Sequence, residues 1–402
     1  MKTKFFLIAA MAAMFSMSFT ACSNSDEEMA GIAQTRAGIS FDVHADGPAH
    51  VTRGYATTAA NATATIASFQ TWAYDDVTNG IYMGVDANTG RTVSNTGTAL
   101  APVWTYTPEQ FWPVNALNFV AVTPAAAPTG GTLTHAAASA TNVVTLTTNY
   151  TAPTDVENQV DLMYAEADGI TKDGADATPS TGDDGNVPFT FKHALSQIVF
   201  KGKFSDNGAI TKATVAEISL CNVYKTGVIP FTSEGNFYGG TALSPVTKVA
   251  AGNLSNKVNF TLAGSDLEDL ETIGNGIYTL AAQDDDPFWM TTSENSTLNN
   301  AWFMLPQAVA EWDGTTVNGS GVPNDGGSYI KLRVKLEKDG VVIKDNQEAD
   351  AVYLPLSIDW DRSKKYIYTI QFNGANALTP ITFSVAAENW TDADPQPGVI
   401  NM

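Results

Sequence analysis

Hydrophobic and polar residues alternate with a period of two in most apolar segments of this chain. Residues 330–336 alternate aliphatic side chains with lysine and arginine, and residues 39–43, 366–372 and 381–387 show the same alternation. This pattern is typical of strands that bury one face and expose the other to water. We therefore expect antiparallel β-strands in all four segments.

Other apolar segments are short and are separated by clusters of Gly, Asn, Asp and Pro, which favours β-sandwich folds. Helical periodicity is weak throughout, so the expected fold class is all-β. The further strands that we predict are Phe69–Tyr74, Ile81–Val85, Leu117–Val122, Val143–Thr147, Leu162–Ala165, Phe189–Phe204, Val215–Tyr224, Ile277–Ala281, Trp302–Leu305 and Val352–Ile358.

The length of 402 residues is sufficient for two domains. Residues 173–186 are rich in Gly, Asp, Ser and Thr and have no apolar periodicity, so they are the best domain boundary. We expect a signal peptide over residues 1–21, a lipidated tether over 22–37, an N-terminal β-sandwich over 38–185 and a C-terminal β-sandwich over 186–402.

The N-terminal segment has the form of an export signal. Lys2 and Lys4 precede an uncharged apolar run, and the run ends in small residues before Cys22. The ending resembles a bacterial lipobox, in which the cysteine is acylated, and the acidic stretch after it resembles the surface-export signal of Bacteroidetes lipoproteins. A transmembrane anchor is the alternative, but the run is shorter than the roughly 20 residues that a span needs. We expect a lipoprotein held in the outer membrane through Cys22.

The charge balance excludes one class of partner. The chain has 21 Lys and Arg against 42 Asp and Glu, a formal net charge of −21. Such a surface repels nucleic acid. The chain contains 2 cysteines, and acylation of Cys22 leaves only Cys221, so we expect no disulfide within the mature chain. No second apolar run reaches spanning length, so we expect the lipid to be the only membrane attachment.

The sequence offers no convergent set of catalytic groups, so we expect no enzyme activity, no cofactor and no metal site. The four histidines lie in four different contexts without metal-ligand spacing: His44, His50, His135 and His193. We interpret His193 as a hydrogen-bonded structural residue and Cys221 as a buried, unreactive thiol. The acidic stretches at 183–185 and 284–286 do not match an EF-hand, and we interpret them as solvated loops.

Eight tryptophans raise an alternative function, which is glycan binding by a surface lipoprotein. Most of them lie beside other apolar residues and are expected in the core. Trp312 and Trp360 are each flanked by Asp and are the better candidates for an exposed sugar-stacking platform.

Several motifs, taken in their order, resemble the fimbrillin family, the type V pilin lipoproteins of Bacteroidetes. The resemblance covers nearly the whole chain, and no single motif is specific. The motifs are the lipobox, Thr52-Arg53, Trp104-Thr105-Tyr106, Phe111-Trp112-Pro113, Asp161–Ala165, Phe191–Ser196, Met304–Gln307 and the closing segment from Ile381 to Trp390.

The resemblance implies two transthyretin-like β-sandwich domains in tandem and a fimbrial subunit, structural or tip, that serves adhesion. In that family an arginine-specific protease removes the lipid anchor together with the first strand, and a neighbouring subunit fills the emptied groove. The implied partners are other fimbrial subunits, that protease, and a host or bacterial surface ligand.

The parts for such an exchange are present in the sequence. Cleavage after Arg53 would remove the strand that contains Ile39, Phe41 and Val43, whereas cleavage after Arg36 would leave it in place. Arg53 is therefore the expected processing site and Arg36 the less favoured one.

The expected donor strand contains Ile381, Phe383 and Val385, because its alternation repeats that of the first strand. Alternatively this segment is a permanent strand of the C-terminal sandwich, which leaves residues 392–402 as the detachable tail. That tail contains two prolines and few large apolar residues, so it makes a poor donor.

Overall fold

The computed structural model shows a protein built from β-sheets. It describes residues 38–45, 66–98, 102–140, 143–155, 158–172, 186–204, 212–232, 247–263, 278–279, 288–289, 302–345, 347–372, 381–389 and 399–400. Residues 37–402 form one compact unit, and the second unit, residues 1–36, lies wholly outside the described residues. Among the described residues no helix is long and apolar enough to span a membrane.

Strands follow one another along nearly all of the described chain, which confirms the expected all-β class. Two 3₁₀ helices, Ala251–Asn253 and Glu348–Asp350, interrupt them. In chain order the strands are β1 (Ser40–Ala45), β2 (Ser68–Asp75), β3 (Ile81–Met83), β4 (Arg91–Asn95), β5 (Trp104–Thr105), β6 (Leu117–Thr123), β7 (Thr132–Ala140), β8 (Val143–Thr151), β9 (Met163–Ile170), β10 (Asn186–His193), β11 (Ser196–Phe204), β12 (Lys212–Thr232), β13 (Leu254–Ala263), β14 (Tyr278–Thr279), β15 (Phe288–Trp289), β16 (Trp302–Met304), β17 (Ala308–Val309), β18 (Tyr329–Lys338), β19 (Val341–Lys344), β20 (Val352–Pro355), β21 (Ile358–Asp359), β22 (Lys364–Phe372), β23 (Ile381–Asn389) and β24 (Val399–Ile400).

The strands form three larger sheets and one two-stranded ribbon, β17–β21. The first sheet has the order β1-β10-β9-β6-β2-β4-β5, and β3 also pairs with β2. The second has the order β15-β11-β22-β23-β24, with β16 on β11. The third has the order β19-β18-β12-β8-β7, with β13 and β14 on β12 and β20 on β18.

The first sheet buries apolar side chains on both faces. On β6, Phe119 and Ala121 enter a core together with residues of β1 and β10, whereas Val120 and Val122 enter a larger core shared with the other sheets. Because adjacent residues of a strand point to opposite faces, a strand that is buried on both faces reads as a continuous apolar run. All seven residues of β6 are buried accordingly.

The long strand β12 joins the N-terminal and C-terminal parts of the chain. Its residues 226–232 pair with β8, and its earlier residues pair with β13 and β18. Strand β10 belongs to the first sheet although it follows the expected boundary at 185/186. Strand pairing therefore crosses that boundary in both directions. The division into two domains stays a prediction, and residues 173–185 lie outside the described part.

Candidate functional site: a groove filled by the first strand

The first strand, β1, lies at one end of the first sheet and pairs with β10. The pairing is parallel and runs over six residues, from Ser40 opposite Asn186 to Ala45 opposite Phe191. The hydroxyl of Ser40 donates a hydrogen bond to the side-chain oxygen of Asn186 at the beginning of this ladder. The expected first strand, residues 39–43, is therefore part of the sheet rather than a free leader.

A second wall faces the beginning of β1, and it is formed by the segment that follows β5. Gly38 forms a β-bridge with Phe111, and the backbone N–H of Ile39 donates to the Gln110 carbonyl at 2.8 Å. The hydroxyl of Tyr106 donates to the Ile39 carbonyl at 2.7 Å. Since β1 and β5 are at opposite ends of the strand order, β1 fills the gap between two ends of a curled sheet.

The buried residues of this segment follow its period-two pattern. Ile39 and Phe41 are 3% and 6% exposed, Val43 is partly buried, and Asp42 between them is exposed. Burial of an aliphatic or phenyl side chain contributes about 1.5–3 kcal/mol. The segment thus seals the first sheet's core with two large apolar side chains.

Phe41 occupies the centre of an aromatic cluster. Its ring stacks on Phe189 with centroids 5.6 Å apart and meets the edges of Phe69 and Tyr106 at 5.5 Å and 5.7 Å. A longer contact of 6.4 Å reaches Phe119. Aromatic pairs of this geometry add about 0.5–1.5 kcal/mol beyond the area that they bury. Phe41 is therefore the main anchor of β1 in the groove.

Tyr106 connects the aromatic cluster to the backbone of β1. Burial raises the pKa of its hydroxyl, so the group stays protonated at neutral pH and keeps its role as donor to Ile39. The sequence placed Tyr106 in a family motif but did not assign it to the groove. Aromatic residues at period two in β10, Phe189 and Phe191, were the only further signal.

Strand β10 carries a feature of an edge strand although β1 covers it. Pro188 lies in the middle of β10, opposite Asp42. Proline has no N–H to donate and is confined largely to edge strands and bulges within sheets. Pairing with β9 involves only Lys192 and His193 at the far end of β10. Strand β10 is thus built to tolerate an incomplete ladder at the position where β1 lies.

The structure places the expected donor residues in a different sheet. Ile381, Phe383 and Val385 lie in β23, which pairs antiparallel with β22 over nine residues, from Lys364–Asn389 to Phe372–Ile381. On its other side β23 pairs with β24 at Val385 and Ala386. The segment is therefore stored within its own sheet, and the assignment as donor stays a prediction. Cys22, Arg36 and Arg53 lie outside the described residues.

The two tryptophans that were the better candidates for exposure are buried, as expected for most tryptophans of this chain, so the exposed platform required by the glycan alternative is not formed by them. Trp312 is 7% exposed and packs against Tyr329, and its indole N–H donates to the Thr316 carbonyl at 2.8 Å. Trp360 is fully buried, and its indole N–H donates to the Tyr368 hydroxyl at 2.8 Å. Satisfied N–H groups explain why these rings lie in the core despite their Asp neighbours. Neither offers a face for a sugar.

The expected structural roles of His193 and Cys221 are confirmed. Nδ1 of His193 lies 2.6 Å from a carboxylate oxygen of Asp161, and both side chains are almost completely buried. Cys221 is fully buried, and burial raises the pKa of its thiol to about 12. A thiol with so high a pKa is not a nucleophile at neutral pH.

A family model described as fimbrillin-like matches residues 52–390. The chain belongs to the fimbrillin-like family. The match begins one residue before Arg53 and leaves the first strand outside it. A search of the curated proteins finds no match.

Solved structures from Bacteroidetes are similar to this chain over most of its length. A fimbrial protein from Bacteroides vulgatus is 16% identical, with 88% of this chain and 99% of that chain covered and a TM-score of 0.47. The tip fimbrial protein Mfa3 from Porphyromonas gingivalis is 11% identical, with 85% and 98% covered and a TM-score of 0.34. Because both scores are below 0.5, the family assignment depends on the family model.

Membership in the fimbrillin-like family fixes the general role. The description of the family model, fimbrillin-like, supports the role of a fimbrial subunit for this chain. The groove that β1 fills is the best candidate for an assembly site in this fimbrillin-like chain.

Proposed function

We propose that the protein assembles into a fimbria by exchange of its first strand and serves adhesion there. In this proposal Cys22 is acylated and anchors the chain in the outer membrane. An arginine-specific protease cuts after Arg53 and releases the segment that contains Ile39, Phe41 and Val43. A strand from a neighbouring subunit then fills the groove by pairing with the exposed edge of β10.

The observation that carries the proposal is the groove itself. One short terminal segment closes the first sheet and buries two large side chains, and its partner β10 carries Pro188 at the shared edge. Ordering the backbone costs about 1–2 kcal/mol per residue, which is comparable with what each buried side chain contributes. Covalent attachment therefore decides which strand occupies the groove, and cleavage removes that advantage.

The candidate donor is β23, through Ile381, Phe383 and Val385. Within the described part, β24 covers just two of its residues. Donation requires that β23 leave β22, with which it pairs along its whole length. In another subunit, the groove that β1 has left offers β23 backbone pairing with β10, which replaces its pairing with β22.

Proteolysis of matched variants tests the processing step. The lipid-free chain from residue 23 onward is treated with an arginine-specific protease, and products are resolved as SDS-resistant multimers. Arg36→Lys should still yield a mature N-terminus at Gly54 and a ladder of multimers, whereas Arg53→Lys should remain monomeric. A ladder from Arg53→Lys, or clean monomer after removal of residues 23–53, would contradict the proposal.

A reversible disulfide tests the donor. Thr369 lies opposite Ser384 in the β22–β23 ladder, and facing residues in antiparallel strands have Cα atoms about 4.5–5.5 Å apart, within the range that a disulfide bridges. Oxidised Thr369→Cys/Ser384→Cys should be cut normally but fail to form multimers, and reduction should restore them. Multimers from the oxidised protein would show that β23 is not the donor.

A further inference from the structure

Three hydrogen-bonded segments at one end of the first sheet carry four exposed apolar side chains. They are Val77, Ile81, Phe111 and Val114, and Val114 is fully exposed; we call them the rim patch. Three short segments carry them and are joined by hydrogen bonds: the N–H of Asp76 donates to the Ala116 carbonyl at 3.1 Å, and the hydroxyl of Tyr82 donates to the Phe111 carbonyl. Large contiguous apolar patches on a surface mark interaction sites, and residues of three adjoining segments can contribute to one such patch.

The rim patch adjoins the end of the groove at which β1 begins. Phe111 is the bridge partner of Gly38, and its neighbour Gln110 accepts the hydrogen bond from the Ile39 N–H. The patch and the groove are therefore continuous through residues 110 and 111. A protein body that sends a strand into the groove from this end has to lie next to the patch.

The parallel ladder with β10 gives β1 its direction in the groove, and two hydrogen bonds hold its first residues at the Gly38 end. The Ile39 N–H donates to the Gln110 carbonyl, and the Ile39 carbonyl accepts from the Tyr106 hydroxyl. A donor with the polarity of β1 reproduces both bonds. Because a C-terminal donor is attached to its own subunit through its N-terminal end, that subunit then lies at the Gly38 end of the groove.

We propose that the rim patch is the docking surface for the body of the donating subunit, a second copy of this chain. The inference rests on the proposed strand exchange and adds the contact that orients successive subunits. Nearly all of the full chain's formal charge of −21 lies outside residues 1–53, so two processed copies still repel one another at long range. An apolar contact stabilises their association without requiring a basic surface on either partner.

Charge substitutions in the rim patch test the docking contact. The double variant Val77→Asp/Val114→Asp changes two side chains that are exposed in the monomer, so we expect it to fold. The matched control is Val341→Asp, because Val341 lies on β19 of the third sheet and is 64% exposed. After cleavage at Arg53 we expect the double variant to form multimers about tenfold more slowly, the factor that corresponds to the burial of one aliphatic side chain. The control should assemble at the rate of the unaltered protein.

A synthetic peptide of residues 38–45 separates this inference from the strand exchange. Binding of the peptide to the cleaved monomer should be the same for the double variant and the unaltered protein, because the peptide has no body to dock. Equal multimer formation by the two would overturn the docking surface alone. Failure of the unaltered protein to form multimers would overturn the proposed function and the docking surface with it.

Photo-cross-linking gives an independent readout. Val114→Cys, labelled with a benzophenone maleimide, should link adjacent copies in assembled material, while labelled Val341→Cys should not. Cys221 is buried with its pKa raised to about 12, so it stays unlabelled, and Cys22 leaves with the first segment. Efficient linkage from position 341 and none from 114 would overturn the inference.

Discussion

Replacement of Phe41 by alanine should release β1 from its groove without unfolding the rest of the protein. The Phe41 ring contacts four aromatic rings and is almost completely buried. Truncation of a buried phenylalanine costs about 3–5 kcal/mol. Since β1 is a terminal segment at one end of the strand order, this loss falls mainly on the docking of β1, which can open locally.

A loss of about 3 kcal/mol lowers the ratio of docked to undocked strand by roughly 100-fold. Amide hydrogen exchange measures this ratio directly. The amides of residues 40–45, and those of β10 that face them, should exchange about 100-fold faster in Phe41→Ala. The amides of β22, in another sheet, should keep their protection. Arginine-specific cleavage should also release the segment faster.

Asp42→Ala is the matched control, because Asp42 is the exposed neighbour of Phe41 on the same strand. It should leave exchange in β1 and β10 within about threefold of the unaltered protein, as expected for surface substitutions. If Phe41→Ala leaves β1 protected, the aromatic cluster does not hold the strand. If β1 and β22 lose protection together, β1 belongs to the global folding unit and is not separately releasable.

Three further predictions concern stability and the glycan alternative. Burial lowers the pKa of His135 to about 4 from a usual 6.5. Between these two pH values the unfolded chain binds a proton that the folded chain does not, so urea denaturation should show the free energy of unfolding falling between pH 6.5 and pH 4. The variant His135→Gln should lessen that fall by about 2 kcal/mol at pH 5. A steeper fall in the variant would contradict this. For Glu217, burial opposes ionisation, but hydrogen bonds from Lys331 and Ser219 prevail and lower the carboxyl pKa. The resulting stabilisation is present at neutral pH and is lost as the carboxylate is protonated in acid. The melting temperature of Glu217→Gln should therefore change less between pH 7 and pH 3 than that of the unaltered protein. Because Trp312 and Trp360 are buried, a panel of polysaccharides should leave the tryptophan fluorescence unchanged. A saturable shift of that fluorescence would support glycan binding instead. The variant Trp360→Ala should lower the free energy of unfolding by about 3–5 kcal/mol.

The apolar pattern, alternating in some segments and continuous in others, predicted the well-paired strands closely. Expected segments at 69–74, 117–122, 330–337 and 366–372 correspond to β2, β6, β18 and β22 within about two residues at each end. These strands bury at least one face completely, so the apolar pattern is also the structural one. The same alternation located the first strand, whose Ile39 and Phe41 point into the groove.

Tertiary contacts decided the elements that the pattern missed. The single strand expected over 189–204 is two strands, because Ala194 and Leu195 bond outside the ladders: the Ala194 N–H donates to the Leu162 carbonyl, and the Leu195 carbonyl accepts from the Ser363 N–H. Strand β12 extends beyond the expected 215–224 because residues 226–232 pair with β8, far away in sequence. Strand β7 was missed because its threonines and alanines give no strong apolar alternation.

The groove could be predicted only in part. Alternation indicated the strand that fills it, but the wall formed by residues 106–111 comes from the opposite end of the strand order. The apolar pattern of a single segment does not predict that two ends of a sheet come together. For the tryptophans, the acidic neighbours were misleading because Asp313 points outward and caps a turn through Thr315 and Thr316 while Trp312 points inward.

Hydrogen exchange along β10 tests the exchange of the first strand most directly. Among residues 186–191, the amides that face β1 (Pro188 has none) should be protected in the intact chain, lose protection in monomer freed of residues 1–53, and regain it in multimers, because a neighbour's strand then covers the same edge. Protection that stays unchanged through all three states would show that β10 never exposes its edge, and the account of assembly would be wrong.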